Sequence, residues 1–179
     1  NININQSRTG ILKILNKMNA NIKIKNKRNY RGEYIGDIKI KSKKNLKSIN
    51  CPEKLNSSAI DEFLLIFLIA SKSKGISTFK NLNELNKKES PRLDISIKFL
   101  KMIGIKVFRK KNNIKIYGNP DLKLRKNYHV RKFLKDHRVF MMSVIAALTL
   151  GGNWKIDDKD SIKTSFPNFI KFIENIQNG

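Results

Sequence analysis

The sequence predicts an α/β fold built from a repeated unit in which helices are buried beneath sheets. Two observations predict it. Segments with apolar residues at helical spacing alternate with short segments that alternate apolar and polar, and the order helix, strand, helix, strand, strand recurs along the chain. A length of 179 residues with 40% hydrophobic residues is also enough for one well-formed core.

The elements follow in order. Asn1-Ile2-Asn3-Ile4 alternates like a strand with no partner upstream, so the chain is expected to begin inside a domain. Residues 8–19 place Ile11, Leu12, Leu15 and Met18 on one helical face, and Asn19 suits the left-handed stop. Ile22-Lys23-Ile24 and Ile38-Lys39-Ile40 alternate as strands around a turn at Arg31-Gly32-Glu33. A second helix is expected over 61–74, closed by Gly75 and followed by a strand over 77–79. A third is expected over 92–104, with Ser90 as its cap, Pro91 at its first position and Gly104 as its stop. Ile105-Lys106-Val107 and Ile114-Lys115-Ile116 pair across Lys111-Asn112-Asn113. A strongly apolar helix over 136–150 ends at Gly151-Gly152; a strand at Trp154-Lys155-Ile156 and an amphipathic helix over 165–176 follow. The blocks divide at about 1–50, 51–125 and 126–179, as partial, full and partial repeats.

Composition excludes several classes. One cysteine, Cys51, forms no internal disulfide or cysteine metal cluster and suits a reducing cytoplasm. His129 and His137 lack zinc-ligand spacing, and Asp157, Asp158 and Asp160 lack the glycine and closing glutamate of a calcium loop, so no metal is expected. The chain opens with no signal-like segment, and its longest apolar run, 63–70, is far short of the roughly 20 residues that span a bilayer. A net charge of +24 suggests a nucleic-acid partner. However, the lysines are spread end to end among Ile and Asn with few aromatics, which places biased composition ahead of that reading. The charge implies that any small ligand is anionic.

Candidate chemistry gathers at helix starts. Asp61-Glu62 and Asp136 read first as caps that complement the helix dipole. Arg8, Arg92 and Arg138 oppose that dipole in their first turns, which calls for an anion to neutralise them. Their chance density among 38 basic residues is the competing explanation. Glu89, in a loop between Lys88 and Arg92, is a carboxylate held ionised by cations, ready to exchange a proton; spacing alone favours a surface ion pair over that role.

Taken in order, Ser7-Arg8-Thr9-Gly10, Gly32-Glu33, Gly36-Asp37, Ile60-Asp61-Glu62-Phe63 and Glu84-Leu85 resemble the enolpyruvyl transferases. Lys88-Glu89-Ser90, Arg92-Leu93, Asp136-His137-Arg138 and Ser165-Phe166-Pro167 extend the resemblance, in particular to the 5-enolpyruvylshikimate-3-phosphate synthase family. The resemblance implies two domains, each of three βαβαββ units, with this chain supplying most of the C-terminal one and none of the N-terminal one. It implies transfer of the enolpyruvyl group of phosphoenolpyruvate to the 5-hydroxyl of shikimate 3-phosphate, releasing phosphate, in a cytoplasmic enzyme that is monomeric when complete and needs no cofactor.

By the same resemblance Asp61 takes the proton of that hydroxyl, and Glu89 protonates the methylene and later removes a proton. Lys88 binds shikimate 3-phosphate, Arg92 and Arg138 clamp phosphoenolpyruvate, and His137 stands close by. The sequence departs from the pattern at Asn86 and Pro91, where relatives usually carry Arg and Asp, and at Leu64 and Phe140; Lys163 is out of register with a ligand lysine. The alternatives are the related UDP-N-acetylglucosamine transferase, an inactive copy, and a basic nucleic-acid-binding module.

Overall fold

Ile2 and Asn3 do form a strand, but their partner lies downstream. In the structure, a computed structural model that describes residues 1–178, β1 (Ile2–Asn3) pairs antiparallel with β3 (Glu33–Lys41). Gly179, the end of the expected third block, lies outside the described residues. Between these strands come α1 (Gly10–Lys17) and β2 (Asn21–Tyr30), giving a sheet in the order β1-β3-β2. The helix starts two residues later than its spacing suggests, because residues 6–8 form a 3-10 turn closed by the Asn5 side chain, which accepts from the Ser7 amide. Asn19 takes the expected left-handed conformation, with φ 67°. Arg31 and Gly32 both have positive φ, 52° and 85°, as a two-residue hairpin turn requires.

The second block begins with an element that sequence periodicity did not reveal. Lys47 and Asn50 make isolated parallel bridges to Lys74 and Thr78, placing a strand-like segment beside β4 (Gly75–Phe79). Between them lies α2 (Phe63–Ser71), preceded by a 3-10 stretch, Ser57–Glu62, so the helix begins at Phe63 and not at Asp61. Seven of its nine residues are buried, and it packs against α1 and against two helices and a strand described next, so an apolar surface all round is what its position requires. Phe63 and Phe67 on α2 pack edge-on to Phe79, with ring centroids 6.0 and 5.1 Å apart.

Next come α3 (Arg92–Met102), β5 (Val107–Lys110) and β6 (Asn113–Gly118), in a sheet ordered β4-β6-β5. That order matches β1-β3-β2, so the first and second blocks end in the same arrangement. Gly118 lets β6 finish against α2: a Cβ there would fall 2.7 Å from the Ala70 carbonyl oxygen and closer still to that of Ser73.

The third block opens with β7 (Leu124–Val130), also absent from the sequence reading, and continues through α4 (His137–Leu150) to β8 (Gly151–Ile156). β7 and β8 are parallel, which repeats the relation of 47–50 to β4. The leading strand is thus part of the unit, which becomes strand, helix, strand, helix, strand, strand. The last helix, α5 (Phe169–Asn178), starts four residues later than expected. Residues 165–168 form a turn, since Pro167 disfavours helical geometry at Phe166. Among the described residues no helix is long and apolar enough to cross a membrane.

Candidate active site: a carboxylate in a ring of cations

Asp61 occupies the end of the 3-10 stretch before α2, where it caps nothing. Glu62 takes the cap position of α2 and makes no side-chain capping bond, so the cap reading fails for this pair. Instead, four cations from separate segments converge on the Asp61 carboxylate. Arg8 Nη1 lies 3.2 Å from Oδ2, Arg92 Nη1 3.3 Å from Oδ1, Lys88 Nζ 3.6 Å from Oδ1 and Arg138 Nη2 3.6 Å from Oδ2. Arg138 Nη1 also donates to the Asp61 carbonyl at 3.0 Å. Burial pushes the Asp61 carboxyl up, but Arg138, Lys88, Arg92 and Arg8 together outweigh it and hold it below the usual carboxylate range. For Glu62 burial prevails over the pull of Arg138, Asp61 adds to it, and the carboxyl is raised.

Asp136 is a cap, and more. Its Oδ1 accepts from the Arg138 amide at 2.9 Å at the start of α4, while Oδ2 accepts from Arg92 Nε at 2.8 Å and from Ser90 Oγ at 2.7 Å. Its burial is opposed first by the hydrogen bonds from Arg92 and Ser90 and by the Arg92 charge, which leave the carboxyl lowered. Ser90 therefore serves Asp136 and not the α3 terminus. Pro91 sits one place earlier than expected, at the cap position of α3, and brings no capping oxygen. Asn86 supplies one: its Oδ1 accepts from the amides of Leu93 at 3.0 Å and Asp94 at 3.3 Å, the second and third helical positions that a cap residue would serve.

Arg92 is the centre of the cluster. Only 1% exposed, it spends its donors on three carboxylates: Asp136, Asp61 and Glu89, the last through Nη2 at 2.5 Å. Glu89 thus meets Arg92 but not Lys88, which turns to Asp61, and at 57% exposure it is the partner with most room to move. His137 is the first residue of α4, between Asp136 and Arg138, and none of the site's hydrogen bonds runs through its ring. Asp61, Lys88, Glu89, Arg92 and Arg138 are thus one contact network, with His137 adjoining it.

Chance density does not account for this. Four of the chain's 14 acids, Asp61, Glu62, Glu89 and Asp136, meet four cations here, in a chain with 38 basic residues. Lys163 pairs with Asp160 at 2.9 Å and not with a site residue, and Asp157 pairs with His129 at 2.9 Å. Among the described residues no group of three or more His, Cys, Asp or Glu could hold a metal ion. The sequence reading named Arg8 only as a helix-start cation and Ser90 only as a helix cap, and gave Asn86 no role in the site. The expectation of Ser90 as the α3 cap hid Asn86, because it left no capping oxygen to be found elsewhere.

The repeated sheet-and-helix units make an α/β protein, and its architecture matches that of solved enolpyruvyl transferases. The enolpyruvyl transferase NikO from Streptomyces tendae shares the fold at a TM-score of 0.61 and 11% identity, a likeness of fold alone. Within that class residues 1–173 match the family described as EPSP synthase (3-phosphoshikimate 1-carboxyvinyltransferase), and the chain belongs to that family. An EPSP synthase structure from Acinetobacter baumannii matches at a TM-score of 0.90 and 32% identity, over 97% of this chain and 40% of that one. A 3-phosphoshikimate 1-carboxyvinyltransferase from Ruthia magnifica is 38% identical over 98% of this chain and 39% of its own length. One from Petrotoga mobilis is 34% identical over 99% and 40%. The chain thus spans about two fifths of the length of the curated relatives it matches.

Proposed function

We propose that this chain is the C-terminal part of a 3-phosphoshikimate 1-carboxyvinyltransferase. It acts with an N-terminal domain to move the enolpyruvyl group of phosphoenolpyruvate onto the 5-hydroxyl of shikimate 3-phosphate. The observation that carries this reading is the ionised Asp61 carboxylate enclosed by Arg8, Lys88, Arg92 and Arg138. Such a site offers a proton acceptor beside a field that favours bound anions.

In this reading Asp61 accepts the proton of the 5-hydroxyl as its oxygen bonds to the substituted carbon of phosphoenolpyruvate. Glu89, once parted from Arg92 and protonated from solvent, gives that proton to the methylene carbon in the same addition. It takes one back as the carbon–oxygen bond to phosphate breaks and inorganic phosphate leaves. Lys88 binds shikimate 3-phosphate. Arg138, 31% exposed, is open to the carboxylate and phosphate of phosphoenolpyruvate. Arg92 has its donors occupied, so it grips the same ligand only by exchanging Glu89 for it, which frees Glu89 for the methylene. The Glu89 carboxylate thus holds the place of a substrate anion on Arg92.

Phosphate release from the two substrates by the complete protein carrying this chain tests the proposal. Asp61→Ala and Glu89→Gln should each lower turnover by roughly 10²–10⁴-fold, the range for general acid–base groups. No turnover from the folded complete protein would overturn the reading.

A further inference from the structure

The Ser7-Arg8-Thr9-Gly10 segment enters the reading above only through the charge of Arg8, yet the whole segment is built against the site. Gly10, the first residue of α1, lies on the 3-10 stretch that carries Asp61. A Cβ on Gly10 would fall 2.5 Å from Ser58 Oγ, 2.6 Å from the Ser58 carbonyl carbon and 2.7 Å from the Ala59 amide nitrogen. Only a residue without a side chain allows this approach. Two residues earlier the chain turns through Gln6–Arg8, and Arg8 extends to Asp61 Oδ2. Thr9, between them, is buried.

We propose that Arg8 is a positioning residue for Asp61, held in place by the close seat of Gly10 on residues 58–59. The inference rests on the functional reading of Asp61 given above. Oδ1 of Asp61 faces Lys88 and Arg92, and Oδ2 faces Arg8 and Arg138. Arg8 fixes the rotation of the carboxylate from the one side that no residue of the second or third block reaches except Arg138. The other charges around Asp61 are Glu62 next to it on its own segment, and Glu89 and Asp136, which act on it through Arg92. Because Arg8 is 75% exposed, its removal leaves the packing intact.

The test follows the side-chain carboxyl carbons of Asp61 and Asp136 by NMR during a pH titration of the 179-residue chain, so it needs no turnover. In Arg8→Gln the proton affinity of Asp61 should rise about 1.5- to 5-fold, the effect of losing one exposed ion pair. Asp136, which Arg8 does not touch, should titrate unchanged. Arg8→Lys should restore most of the difference, and Gly10→Ala should reproduce Arg8→Gln by lifting the turn away. If Asp61 titrates identically in wild type and Arg8→Gln, or if both carboxyls move together, the proposal is overturned. A normal titration shift in a complete protein without turnover would overturn the proposed function and leave the Arg8 contact standing.

Discussion

Replacing Asp136 with alanine tests whether the buried ion pair is the support on which the site rests. The Asp136 side chain has no solvent exposure and accepts from Arg92 Nε, Ser90 Oγ and the Arg138 amide. Losing the cap of α4 costs about 1 kcal/mol. Breaking a buried pair by removing one partner costs about 3–5 kcal/mol, because the remaining charge is left uncompensated. Arg92 keeps Asp61 and Glu89, both more exposed than Asp136, so the combined loss should fall near ~4 kcal/mol and not at the sum of the upper values.

Asp136 is depressed in the folded state, so its contribution is present above the unfolded carboxyl value of about 4 and fades as pH falls through the folded one. Urea unfolding followed by the single tryptophan, Trp154, which stacks on Tyr128 at 4.8 Å, reports the difference. The gap between wild type and Asp136→Ala should be full at pH 7 and shrink below about pH 4. A gap under about 1 kcal/mol at pH 7, or one that persists undiminished in acid, would refute the reasoning.

Asn86→Ala should cost about 1 kcal/mol and speed hydrogen exchange at the Leu93 and Asp94 amides, while Asn86→Asp, which keeps an acceptor, should preserve both. Phe67→Ala removes a ring only 1% exposed from between Phe63 and Phe79; a loss of about 3–5 kcal/mol is expected in the same urea assay.

The repeated order of helices and strands was legible because apolar spacing records it, as in α1, where Ile11, Leu12 and Leu15 are half-buried and Met18, just past its end, is fully buried; Ile14, which that reading left out, is also fully buried. The leading strands were not legible. β7 reads Leu-Arg-Lys-Asn-Tyr-His-Val, with Lys126 where inward alternation calls for an apolar residue. Segment 47–50 makes only two bridges, too few to leave a pattern. Helix starts were misplaced wherever 3-10 geometry intervened, at 6–8 and at 57–62, since both helix types share nearly the same apolar spacing. The residues now grouped around Asp61 were individually visible as charges at helix starts. Their convergence was not visible from spacing, because Arg8, Lys88, Arg92 and Arg138 reach Asp61 from both sides of it along the chain; the resemblance supplied most of them and the structure added Arg8.

The way the cluster is sourced has a kinetic consequence. Arg8 meets Asp61 across 53 residues of sequence, Arg92 meets Asp136 across 44, and Arg138 meets the Asp61 carbonyl across 77. Contacts of such separation form only after the intervening chain has been closed into loops, so they appear late in folding compared with local hairpins such as β2–β3. The long-range pairs of the cluster therefore depend on the docking of all three blocks, whereas Arg92–Glu89, three residues apart, does not. Of its charged groups Arg92 and Asp136 are the ones that leave water, and their desolvation accompanies the docking of the second and third blocks.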